Sequence, residues 1–101
     1  MQKIVMYWRD IPSLVTIKQK REKGKTMLPE RFQKAIDRAA MRAGKGDSDL
    51  YIAEWRREVS DIESSGSLQE MADREMAIID ASISDELLNQ MAKNNGFKTT
   101  D

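Results

Sequence analysis

Apolar and polar positions alternate through KIVMYWRD (3–10), with Ile4, Met6 and Trp8 on one side and Val5, Tyr7 and Arg9 on the other. Period two in β-branched and aromatic residues predicts a strand. DIPS (10–13) supplies turn chemistry, because Pro12 fixes its own φ and pushes Ile11 to an extended conformation. LVTIKQKR (14–21) is a second strand, so the pair is expected to form a β-hairpin. Its basic end, KQKREKGK (18–25), is expected to be frayed or to protrude.

The period then lengthens. In MLPERFQKAIDRAAMRAG (27–44), Leu28, Phe32, Ala35, Ile36, Ala39 and Ala43 share one helical face at ~100° per residue. Pro29 suits the first turn, Glu30 the positive end of the macrodipole and Gly44 the stop. Arg31, Lys34, Arg38 and Arg42 form a second stripe beside the apolar one. GKGD (44–47) is a turn. DLYIAEWRREV (49–59) alternates again and is expected to be a third strand, although its Glu and Arg residues leave a helical reading open. SSGS (64–67) is a linker whose Ser67 begins a capping box with Glu70. Helices follow over 68–83 and, after Ser84, over 85–94, where Asn95-Gly96 ends the second.

The order β-β-α-β-α-α predicts an α+β fold, a three-stranded sheet with helices packed on one face. A right-handed crossover through the first helix would set strand three parallel to strand two. Residues 1–95 are expected to form one domain and 96–101 a flexible tail.

Composition narrows the chemistry. The 101 residues include no cysteine and no histidine. That removes disulfides, thiolate chemistry, the commonest metal ligand and the commonest general base near neutral pH. No stretch resembles a signal peptide or approaches the ~20 apolar residues of a membrane span, so a cytoplasmic location without membrane contact is expected. Net charge is zero but unevenly spread. Residues 1–57 carry 14 Lys/Arg against 7 Asp/Glu, and residues 58–101 carry 3 against 10. Such a split suits a basic binding face, association between copies of the chain, or an acidic half folding back on a basic one.

Both tryptophans precede an arginine, as Trp8-Arg9 and Trp55-Arg56. Neighbours on a strand point to opposite faces, so each pair can divide between the core and the surface. The arginines are then either solvated or paired with Asp10 and Glu54, or they join exposed aromatics as an anion-and-stacking surface. The basic helix stripe could follow a phosphate backbone, yet no phosphate loop, RNA-binding aromatic signature or recognition-helix pattern accompanies it, which disfavours nucleic acid. Tyr7, Asp10, Asp37, Tyr51 and Glu54 are the acids and bases at hand, without the spacing of a catalytic or metal-binding pair. DSD (47–49) begins like a calcium loop but lacks its glycine and distal glutamate. No cofactor or metal is expected. Met71, Met76 and Met91 on helical apolar faces suit core filling, and an adaptable helix contact, including one between copies of the chain, stays open.

Taken together, YWRDIPSLV, LPERFQKAIDRAAMRAG and DLYIAEWRR resemble the small bacterial virulence-factor domain family, over roughly residues 3–75. Domains of that family occur alone and beside a NifU-like scaffold segment with helical repeats. Stand-alone members are often encoded near folate- and corrinoid-dependent methyl-transfer genes. The resemblance maps the family's shared positions onto Trp8, Arg9, Asp10, Pro12, Phe32, Ile36, Asp37, Ala40, Tyr51, Trp55 and Arg56, and it implies no catalytic role for any of them.

The residues point to a non-catalytic binding or accessory module. Its candidate surface comprises Trp8, Arg9, Asp10, Tyr51, Trp55, Arg56 and Arg57 on the sheet and Arg31, Lys34, Arg38 and Arg42 on the helix. Its expected ligand is an acidic protein partner or an anion. The alternatives are an accessory subunit of folate- or corrinoid-dependent methyl transfer, which the resemblance suggests, and nucleic-acid binding.

Overall fold

The first alternating run becomes β1 (Gln2–Trp8) of the computed structural model, which describes residues 1–98. It is followed by β2 (Ile11–Gln19), β3 (Glu22–Met27), α1 (Glu30–Arg42), α2 (Ser48–Ile52), β4 (Trp55–Asp61), α3 (Leu68–Ser82) and α4 (Asp85–Lys93). The strands form one antiparallel sheet in the order β3-β2-β1-β4. The α+β class is as expected, with four strands in place of three.

The additional strand lies in the basic stretch expected to fray. Lys20 and Arg21 form a two-residue hairpin loop with Lys20 at φ 56°, and Glu22 pairs with Gln19. Gly24 is what lets β3 sit under α3. A Cβ there would lie 2.5 Å from the Leu68 carbonyl carbon, so any side chain would push helix and strand apart. With β3 on one side of β2 and β1 on the other, both edges of β2 are filled. β4 therefore pairs antiparallel with β1, and the expected parallel crossover beside β2 does not occur.

Two boundaries also differ. The first turn is Arg9-Asp10 rather than DIPS, and Arg9 occupies the left-handed region at φ 54°. Pro12 then falls inside β2, where it is tolerated because the β1–β2 register shifts between Met6 and Tyr7 and leaves Ser13 unpaired in the ladder. The Ser13 carbonyl turns outward to accept the Leu28 amide at 2.9 Å, which fixes the start of α1. The segment expected as strand 49–59 divides into α2, capped by the Asp47 side chain accepting from the Asp49 amide, and β4 from Trp55 onward.

The core lies mainly between one sheet face and α3, and between α1 and α4. Val5, Val15 and Ile17 meet Met71 and Ala72, while Phe32, Ala35, Ile36 and Ala39 pack with Leu88, Met91 and Ala92. Ser67 and Ser84 cap α3 and α4, accepting from the Glu70 and Leu87 amides, each at 3.1 Å. Asn95 (φ 62°) and Gly96 (φ 93°) end α4. Of the segment expected to be a loose tail, Gly96 and Lys98 are hydrogen-bonded to Asp10 in the first hairpin turn, and 99–101 lie outside the described residues.

Candidate functional site

Antiparallel pairing of β1 with β4 sets Trp8 directly opposite Trp55 and Tyr7 opposite Arg56. Trp8 is fully buried. Its indole Nε1 donates to the Tyr51 carbonyl at 2.9 Å, and its ring stacks on Tyr51 with centroids 5.9 Å apart. Tyr51 meets half-buried Trp55 edge-on at 5.9 Å. The three aromatics pin α2 and the start of β4 to the end of β1.

The two arginines exchange partners across the pair of strands. Arg9, with a side chain only 10% exposed, donates from NH2 to Glu54 Oε1 at 3.1 Å and from NH1 to the Asn95 carbonyl at 2.9 Å. Its guanidinium lies 4.6 Å from the Phe97 ring centroid and 5.2 Å from that of Trp8. Its Nε is buried without a partner among the described residues. Arg56 donates from Nε to the Arg9 carbonyl at 2.7 Å, from NH2 to Asp10 Oδ1 at 3.2 Å and from NH1 to Glu58 Oε1 at 2.6 Å, and it lies over the Tyr7 ring. Asp10 Oδ2 accepts the Lys98 amide at 2.8 Å, and the Asp10 amide donates to the Gly96 carbonyl. Trp8, Arg9, Asp10, Tyr51, Trp55 and Arg56 thus form one cluster whose charged groups are bonded within the chain, with Arg9 enclosed and Arg56 partly exposed.

The electrostatics agree with a set of internal pairs. The hydrogen bond from Arg9, helped by the charges of Arg9 and Lys45 and only partly opposed by burial, holds the Glu54 carboxyl below its ordinary range. Burial, with the nearby Glu58 carboxylate, pushes the Tyr7 phenol upward. Burial pulls Arg56 down, but the hydrogen bonds and charges of Glu58 and Asp10 together outweigh it, so its pKa is raised. Asp10, Glu54 and Glu58 are thus each paired with an arginine of the cluster. Among the described residues, no group of three or more acidic residues could hold a metal ion.

The helix stripe divides. Arg31 is held by the acidic half of the chain, since its NH2 donates to Asp80 Oδ1 at 2.7 Å and to the Ile83 carbonyl at 2.6 Å, and its NH1 to Asp85 Oδ1 at 3.0 Å. Arg38 bonds the neutral Asn89 side chain at 3.0 Å. Lys34 is exposed and stands 3.9 Å from Glu30. Arg42 is exposed near the end of α1. Between α1 and α4 run two adjoining depressions of about 500 and 620 Å³, both bordered by Asp37 and Arg38. Lys34 borders one, while Arg42 and Lys93 border the other. Lys93 was not anticipated; its place in the last turn of α4, opposite the α1 stripe, was the available signal. Arg57 stands apart from all of these on exposed β4.

A protein-family model described as "Virulence factor" matches residues 6–92, a span that takes in Trp8, Arg9, Asp10, Tyr51, Trp55 and Arg56, all of α1 and all of α4 but Lys93. No curated protein and no solved structure matches the chain.

Proposed function

The chain belongs to the virulence-factor family, and from that premise we propose that it is a non-catalytic binding domain receiving an anionic group in the groove between α1 and α4. The observation that carries this reading is the separation of its cations into two sets. Arg9, Arg31 and Arg56 are occupied by carboxylates or carbonyls of the same chain. Arg38, Arg42 and Lys93 converge on an open groove and, among the described residues, have no ion-pair partner. Guanidinium groups at adjacent helical turns suit bidentate recognition of carboxylate or phosphate. The Trp-Arg cluster then acts as the frame that holds α2, β4 and the end of α4, and not as the contact surface.

The test is a titration of the isotope-labelled protein with a polyglutamate peptide and, separately, with inorganic tripolyphosphate. Amide shifts should gather on α1 and α4, and Arg38→Glu with Arg42→Glu should weaken binding about tenfold or more. A groove unmoved by either probe would remove the proposal. Affinity for the winning probe should also fall as salt is raised, because these cations are exposed.

A further inference from the structure

Alternate residues of the four strands leave a second sheet surface turned away from α3. The helix α3 meets the other one, as Gly24 under Leu68, Thr26 bonded to Asp73 and Lys3 paired with Glu75 show. On the opposite surface the register gives successive rows: Arg57–Met6–Leu14–Met27, then Val59–Ile4–Thr16–Lys25, then Asp61–Gln2–Lys18–Lys23. Its middle is apolar and its margin cationic. Met27 is 63% exposed and Val59 52% exposed, and Ile4, though buried among its strand neighbours, stands outside the core cluster. Among the described residues, none of Lys18, Lys23, Lys25 and Arg57 takes part in an ion pair, and Asp61 is the single acid in the rows.

We propose that this face docks an amphipathic helix of another protein, apolar along one side and flanked by carboxylates. A contiguous apolar patch rimmed by charge marks an interaction surface. The same sheet already receives a helix, α3, on its other side, so a second one would complete a three-layer arrangement. Met6 and Met27 supply the unbranched side chains that adapt to a helical partner. Charge complementarity selects the acidic flanks. A second copy of this face is excluded as occupant, because it would set four cations against four. Single-stranded nucleic acid would want open stacking platforms, whereas the aromatics of the next row, Trp8 and Trp55, are buried and half-buried against Tyr51. A membrane surface would want freely projecting Trp or Tyr at the margin, whereas Trp55, beside the Arg57 row, is half-buried edge-on against Tyr51. The surface is separate from the α1–α4 groove, and the proposal stands without it.

The probe is a fluorescent synthetic peptide with leucines at helical spacing along one face and glutamates on either side. It should bind saturably, with amide shifts in the rows of β1–β4. Lys25→Glu with Arg57→Glu should weaken it about tenfold or more, Val59→Glu likewise, and Ser64→Glu, on the exposed linker before α3, should leave it unchanged. All three face positions are exposed, and urea unfolding verifies that each variant folds. If the double reversal fails to fold, Val59→Glu decides the matter in the same titration. No saturation of the wild-type protein, or peptide shifts confined to α1 and α4, overturns the proposal. So does oligothymidylate or a phosphatidylserine vesicle perturbing these rows where the peptide does not.

Discussion

Arg9 is a cation placed where few are tolerated: its backbone lies at φ 54° and its side chain is caged between Glu54, the Asn95 carbonyl and two aromatic rings. Removing one member of a buried, hydrogen-bonded charge pair costs more than an exposed pair is worth, because the groups left behind lose their partner as well. Arg9→Ala should therefore destabilise the protein by about 2–4 kcal/mol in urea unfolding, and Arg9→Lys should recover only part of that because an ammonium does not reproduce the fork. Glu54 gives the same interaction a pH signature. Its folded-state pKa is depressed, so it binds a proton more readily when unfolded. The stability it contributes is fully present above the unfolded carboxylate pKa and is lost as pH falls through the folded value. Arg9→Ala should flatten that acid-side decline, and unfolding midpoints measured between neutral and acid pH will show whether it does. Gly96 reports on the opposite wall. At φ 93°, with any Cβ 2.8 Å from the Trp8 ring, Gly96→Ala is strained in backbone and packing alike and should cost about 1–3 kcal/mol. That Trp8 could be a core anchor was legible from alternation, which also left it open as part of the binding surface. That Arg9 would be enclosed was not, because the groups enclosing it come from residues 54 and 95–97.

Elements that announce themselves are those with one wet face and one dry one. The helices α1, α3 and α4 lie close to where spacing and capping place them, since Ser67 and Ser84 do bond the amides that their positions imply. The strand β3 was hidden because only Gly24 of its six residues is buried. Its rows face solvent on one side and a helix backbone on the other, so alternation leaves no apolar trace. β4 is likewise exposed through most of its length, and the alternation that predicts it extends back across the single turn of α2, which hides where the strand starts. The junction of β3 with α3 is accordingly the place where one methyl group matters. Gly24→Ala should cost about 1–3 kcal/mol. It should also accelerate hydrogen exchange in β3 more than in β1. Equal protection loss in both strands would mean that the approach of Leu68 to β3 is not what holds the edge.

At the scale of the molecule, the opposed charges of the two halves are partly neutralised within the chain. Arg31 with Asp80 and Asp85, and Lys3 with Glu75, tie the basic part to the acidic one. The candidate groove was half legible for the same reason. Helical spacing put Arg31, Lys34, Arg38 and Arg42 on a stripe, but which of them an acidic segment would take depends on how α3 turns into α4. Arg31→Ala should lower stability by about 1–3 kcal/mol, given its several charge-assisted bonds, while Arg42→Ala should change it by under about 0.5 kcal/mol. Comparable losses for the two would mean that the division between structural and available cations is wrong.

The bonds from residues 95–98 to the Arg9-Asp10 turn have a consequence for the order in which the chain is made. The first hairpin emerges from the ribosome before α4, yet its arginine and aspartate acquire their carbonyl and amide partners only when the stretch after α4 has been synthesised. Until then the nascent domain holds a guanidinium that must stay hydrated, so the packing of Trp8 and Tyr51 beside it cannot close. A chain ending at Asn94 should thus be trapped short of its native state and be cut readily by proteases. Vectorial synthesis therefore leaves the Arg9-Asp10 turn unsatisfied until residues 95–98 have followed α4, so a copy cut short before them stays recognisable to the cell's quality control.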